Sequence, residues 1–139
     1  MALKTYDSKL VNVTWLNRAL SEGRAESGFI KTAYNSEKTT WQRNAEGGGT
    51  RSISNDKSGT ITIKVTQASD THRLLMQLDA LAVGSDVGAF EMRDLNGAIV
   101  ERAPRAWISK RPDSEMSATS GEREWVLTTD ELIREAEGA

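Results

Sequence analysis

The stretch TITIKVT, Thr60–Thr66, alternates without a break, with Ile61, Ile63 and Val65 on one side and Thr60, Thr62, Lys64 and Thr66 on the other. A period of two marks a strand with one face packed and the other wet or mated to a polar partner. Only one segment of the chain has a convincing helical period, so burial has to come mainly from packed strands. A length of 139 residues suits one domain, since two separate cores would each be marginal. The expected fold class is mainly β with one flanking α-helix.

Other elements follow from the same patterning. Lys9–Leu16 (KLVNVTWL) and Phe29–Tyr34 read as strands, and Asn17–Gly28 is polar and ambiguous. Asn35–Gly49 reads as a long mobile connection ending in Gly47-Gly48-Gly49. Thr50–Gln67 reads as a β-hairpin turning at Asn55–Gly59. Ser69 or Asp70 is placed to cap a helix to about Val83, with Gly84 as its stop and Leu74, Leu75, Leu78, Leu81 and Ala82 along one stripe. Ala89–Leu95 and Ala98–Ala103 flank an Asn96-Gly97 turn, Ala106–Lys110 is a separate short piece between Pro104 and Pro112, and Arg111–Gly121 is a loop. Glu122–Thr129 is the last strand. The tail from Asp130 reads as helical through Leu132-Ile133, fraying at Gly138-Ala139.

Composition removes most catalytic chemistry. There is no cysteine, so thiol nucleophiles, disulfides and zinc–thiolate sites are excluded, and one histidine, His72, leaves little for a histidine metal centre. His72 reads as a surface or helix-end residue rather than a general base, because no nucleophile and carboxylate accompany it. Gly47–Gly49 precede a strand, whereas a phosphate-cradling loop precedes a helix. Asn55-Asp56 lacks the spacing and terminal Glu of a calcium loop. No catalytic residue, cofactor or metal is expected. No apolar run approaches the roughly 20 residues that cross a bilayer, and the N-terminus has no secretory h-region, so no membrane segment is expected.

Charge and tryptophan are the informative features. Eighteen basic and 20 acidic side chains give a net charge of −2, without the basic excess of a nucleic-acid binder. Arg102, Arg105, Lys110 and Arg111 form a local basic cluster, read as a solvated or subunit-interface patch rather than a DNA contact. Residues 113–139 carry a net −6, leaving +4 on the remainder. Such segregation suits either self-association or an acidic solubilising tail. Trp15, Trp107 and Trp125 lie in strands as core or interface anchors. Trp41, within the polar 35–49 stretch, suits contact with another chain.

The segments KTYDSKLVNVTW, RSISNDKSGTITIKVTQASDTHRLLMQLDAL, FEMRDLNGAIVERAPRAWISKRPD and GEREWVL together resemble the bacteriophage tail tube proteins, from about Lys4 to Leu127. This resemblance implies a tail-tube-like β-sandwich or barrel whose inner sheet closes into a ring-wide β-barrel on hexamerisation. Stacked hexameric rings would make the conduit for phage DNA ejection, and the subunit would be a virion structural protein rather than an enzyme. The whole chain, 1–139, would be one domain with an N-terminal arm (1–8), an extended inter-ring loop (35–49) carrying Trp41, Gln42 and Arg43, and a C-terminal arm (130–139). Implied partners are further copies of the chain, a tape measure protein, baseplate and tail terminator proteins and, leaning towards a contractile tail, a sheath. DNA would pass without specific binding, in a particle assembled in the host cytoplasm.

DNA carries one charge per about 1.7 Å, so a basic bore would hold it by counterion release. The face of Glu122, Glu124 and Thr128 is therefore the expected lumen lining. Thr60, Thr62 and Thr66 would join it, and Lys64 would be an exception that needs a neighbouring carboxylate. Open strand edges support assembly independently, because ring closure pairs them. The alternatives are the inner tube of a contractile bacteriocin or secretion-like injection machine and a monomeric β-rich binding domain, with a hydrolytic enzyme last.

Overall fold

The computed structural model describes residues 3–20, 22–25 and 28–136. Among these, a 3-10 turn at Ser8–Leu10 leads into β1 (Val11–Trp15), β2 (Arg18–Ala19), β3 (Ile30–Tyr34), β4 (Thr39–Arg43), β5 (Gly49–Ile53) and β6 (Gly59–Thr66). The helix α1 (Asp70–Asp79) follows, then β7 (Gly88–Asp94), β8 (Ile99–Lys110), β9 (Glu122–Thr129) and β10 (Ile133–Ala136). One antiparallel sheet runs in the order β2-β1-β7-β8-β9-β6-β3, with β10 also against β8, while β4 and β5 form a separate two-stranded ribbon.

Alternation decides which face turns inward. Ile61, Ile63 and Val65 on β6 and Trp125 and Leu127 on β9 are buried. They join Val11, Val13 and Trp15 of β1, Phe90 of β7, Ala103 and Ala106 of β8, and Leu75 and Leu78 of α1 in one core. Removing each of the larger of these side chains from water contributes about 1.5–3 kcal/mol, so the sheet doubles over to bury one face. The Trp15 indole Nε1 donates to the Ala106 carbonyl at 3.1 Å, satisfying the one polar atom that this large side chain brings inside.

Leu16 and Asn17 both have positive φ, 51° and 61°, as a two-residue hairpin turn between β1 and β2 requires. Leu16 then lies over Gly88, where an added Cβ would come within 2.1 Å of its Cδ2. The ambiguous Asn17–Gly28 stretch buries Leu20 and bridges to β6 at Arg24↔Val65.

Several expectations are corrected. Residues 35–49 are not a loop throughout: β4 occupies 39–43 and pairs with β5, as Trp41↔Arg51. The expected Thr50–Gln67 hairpin is therefore not formed, because β5 pairs with β4 and β6 with β3. The result is one long hairpin, interrupted at 35–38 and 54–58, with its tip at 44–48.

Ser69 caps α1, its Oγ accepting from the His72 N–H at 3.1 Å, but the helix ends at Asp79. Beyond it Leu81 and Val83 are 42% and 99% exposed, so no core lies beneath them to reward further turns. The two expected strands of 98–110 are one, β8, with Pro104 at a bulge opposite Gly88/Phe90 where ladder pairing is interrupted. The described part of the tail, 130–136, is not helical. It runs along β8 in the register of β9, as Ala106↔Thr129 and then Arg102↔Ile133, and Leu132 is buried. The expected fraying at Gly138-Ala139 and the first two residues of the N-terminal arm lie outside the described residues.

Candidate functional site: a polar sheet face and a projecting ribbon

The β6–β9 register puts Thr60 opposite Thr128, Thr62 opposite Val126, Lys64 opposite Glu124 and Thr66 opposite Glu122. All eight are partly or fully exposed. The sequence-expected set Glu122, Glu124, Thr128, Thr60 and Thr62 is thus brought onto one face, and Lys64 has its carboxylate directly across the ladder. Three further residues share the face: Lys31 and Ala33 of β3, opposite Thr62 and Thr60, and Trp107 of β8, opposite Thr128. Sequence reasoning missed them because parity within a short strand does not say which side faces out until the register is known. With Lys31 and Lys64 set against Glu122 and Glu124, the face is balanced rather than acidic. Trp107 is only partly buried, unlike Trp15 and Trp125, which are fully enclosed.

Among the described residues, no strand pairs with either lateral edge of this face. The Lys64 N–H donates to the Phe29 carbonyl at 2.9 Å and the Asn35 N–H to that of Ser58 at 3.0 Å. Odd-numbered β3 residues therefore bond β6, while the peptide groups of Ile30, Thr32 and Tyr34 point away from it. On that side the Thr32 carbonyl accepts from the Arg134 guanidinium at 2.9 Å. The Gln67 N–H donates to the Gly121 carbonyl at 2.8 Å, so odd β9 residues bond β6 and even ones bond β8. Trp107 thus bonds inward to β9 and Ile108 points outward. The β7–β8 pairing stops at Gly88↔Ala106, short of Ile108.

The ribbon is amphipathic across its width. Thr39, Trp41, Arg43, Arg51 and Ile53 share one face, and Thr40, Gln42, Thr50 and Ser52 the other. Trp41 and Arg43 stay together, then, while Gln42 is on the opposite side. Trp41 is 64% and Ile53 66% exposed. The Trp41 ring covers Gly49, where an added Cβ would lie 2.3 Å from it. At the root of the ribbon the Ser36 hydroxyl donates to Asp56 at 2.5 Å. Hydrogen bonds from Ser36 and then Ser58 hold the Asp56 carboxyl down to about 2.

The segregated charges are matched within the chain. Arg102 pairs with Glu135 at 2.8 Å, Arg105 with Asp130 at 2.7 Å and Arg111 with Asp79 at 2.7 Å. Three arginines of the basic cluster are therefore ion-paired within the chain, two of them to Asp130 and Glu135 of the acidic tail. Arg134 pairs with Glu101, which also accepts from Thr32 Oγ1. His72 is a helix-end residue, in the first turn of α1 and half-buried: its Nδ1 accepts from the Trp125 indole at 3.1 Å, and burial followed by Arg123 lowers its pKa. Among the described residues no group of three or more His, Asp or Glu could hold a metal ion. None of the described helices is long and apolar enough to cross a membrane.

A sheet with a wet face, two edges that no described strand pairs and a projecting ribbon has the parts of a self-assembling building block. The sequence matches the bacteriophage PhiTE tail tube protein family over residues 16–134, and the chain belongs to that family. No curated protein matches it at the level of sequence. Its fold is similar to the sheath/tube terminator of the extracellular contractile injection system PVC in the extended state, at 14% identity and a TM-score of 0.62, covering 98% of this chain and 100% of that one. The PVC sheath–tube complex in the extended state gives 13% identity and 0.60, over 95% and 92%. The tube-terminating cap of the anti-feeding prophage gives 10% and 0.58, over 98% and 95%. The mainly β fold with one flanking helix is common to them and to this chain.

Proposed function

We propose that the protein is the repeating subunit of the inner tube of a contractile tail-like particle, with rings of six copies stacked along a bore. Family membership and the fold shared with contractile injection systems support this reading. The observation that carries it is the four-stranded face of β3, β6, β9 and the end of β8, mostly polar and paired by no described strand at either lateral edge. Strands alternate in direction across an even number, so each added copy continues the same antiparallel ladder and the ring removes every edge.

In this reading Glu122, Glu124, Thr128, Thr60 and Thr62 line the lumen with Lys31 and Lys64, and the bore is close to neutral. A wall of that kind neither grips nor strongly repels a polyanion. The ribbon, a two-stranded hairpin that is marginal alone, reaches the next ring with Trp41, Arg43 and Ile53. The N-terminal segment 1–8 serves as an arm, whereas 130–136 are held along β8 of their own chain and do not. A sheath, a tape measure protein, a baseplate and a terminator are the remaining partners, in a particle that works outside the cell that made it.

The second reading is a phage conduit for DNA, favoured by the family name. Native particles with DNA-filled heads support it, and headless particles support an injection machine. For the tube itself, negative-stain images of purified protein are expected to show hollow filaments of one bore. Single chains under all conditions would overturn it.

A further inference from the structure

From the phase of the two open edges we infer the lateral joint between copies: the β3 edge of one chain lies antiparallel along β8 of the next, Thr32 hydrogen-bonded to Ile108 and Trp107 packed over Ala33. This deepens the tube reading and rests on it.

The outward peptide groups are those of Ile30, Thr32 and Tyr34 on β3 and of Ile108 on β8, the last before the register of β8 shifts between Ile108 and Lys110. All four side chains lie on the core side of their strands, so pairing them extends the core rather than exposing it. Ile108 against Thr32 is the register that centres the β3 edge. It sets Trp107 directly opposite Ala33 in a non-hydrogen-bonded pair, where side chains approach most closely. Ala33 has the smallest side chain of the polar face, and Trp107 is its one aromatic, so size is complementary. A shift of two residues would place Trp107 against Lys31 or Asn35 instead.

The β8 edge already has a seat for a strand. A groove of about 530 Å³ runs beside Ile108 and Lys110, walled by Leu81 and Val83 and by the charged Asp79, Asp86 and Arg111. These are the residues that the early end of α1 leaves uncovered. The β3 edge brings Ile30 and Tyr34 as its apolar complement. Arg134, bonded to the Thr32 carbonyl in the single chain, blunts this edge until a neighbour's Ile108 takes its place or shares the oxygen.

The chain has no cysteine, so a double variant Ala33→Cys with Trp107→Cys contains only the two introduced thiols. Within one chain these sites are three strand spacings apart, about 14 Å, and a disulfide needs Cα atoms within roughly 7 Å. Any bond formed is therefore between copies. The expected result is an oxidation-dependent ladder on non-reducing gels that ends at a closed ring, absent from each single-cysteine variant. Ala33→Arg is expected to keep the circular dichroism of the parent and lose filaments. Filaments that assemble but do not cross-link at 33–107 would overturn this joint while leaving the tube reading intact. Absence of filaments from the parent protein would overturn the tube reading and the joint with it.

Discussion

The Trp125 indole N–H donates to His72 Nδ1 at 3.1 Å, tying β9 to the first turn of α1. A ring nitrogen that accepts cannot carry a proton, so the contact exists only with neutral imidazole. Burial, then the Arg123 charge, lowers the His72 pKa below its ordinary 6.5. The unfolded chain consequently takes up its proton first as pH falls. This contribution to stability is fully present above about pH 6.5 and is lost as pH drops through the lower folded-state value. In urea unfolding of the single chain, stability is expected to decline from pH 7 to pH 5. His72→Gln keeps an acceptor for the indole without titrating, and it is expected to flatten that decline. An unchanged slope in the variant would contradict the assignment.

Glu101 is buried, with Arg134 and Thr32 as its partners. Arg134→Ala leaves that carboxylate with one hydrogen bond, and a loss of about 1–3 kcal/mol is expected in the unfolding free energy. Glu101→Gln in the same background is expected to recover part of it. A neutral Arg134→Ala would mean that the cluster contributes nothing to holding β10 in place.

Gly88 is filled by Leu16 rather than by a side chain of its own. Gly88→Ala is expected to cost about 1–3 kcal/mol through overpacking, and Leu16→Ala to relieve most of that cost in the double variant. Thermal unfolding of the four proteins measures the coupling. Simple additivity would show that the two sites do not meet.

Gly49 under Trp41 is the corresponding site on the ribbon, with a different readout. An added Cβ there would also come within 2.7 Å of the Gln42 carbonyl oxygen, so the exposed ring itself is the site to change: Trp41→Ala should move single-chain stability by no more than about 0.5 kcal/mol. Filament yield should fall sharply, because that ring belongs to the surface proposed to reach the next ring. Equal filament yield would remove the ribbon from the stacking contact.

Reversal of Glu122 and Glu124 to Lys gives the bore a basic band. Filaments of Glu122→Lys/Glu124→Lys are expected to retain short duplex DNA at low salt and release it as salt rises, whereas parent filaments do not. Equal retention by both would take these residues off the lumen.

What was legible in the sequence was periodicity. The alternation of β6 and β9 identified both the packed face and the wet one, and Ser69 marked the start of α1. Pairing was less legible. Thr50–Ile53 sits one turn before β6 and looks like its partner, yet it pairs with β4 because residues 44–48, with Gly47 and Gly48, are the hairpin tip and not a tether. Pro104 looked like a strand end and is instead a bulge within β8. The acidic tail looked like a helix or a free arm, but Asp130, Arg134 and Glu135 find partners along β8, and local propensity carries no information about contacts made some thirty residues away.

An electron cryo-microscopy reconstruction of the assembled protein tests the central claim most directly. The account predicts a hollow tube whose wall facing the bore is β3, β6, β9 and the end of β8, with Lys64 and Glu124 at the same height around it. A bore lined by β1 and β7, or by α1, would contradict it.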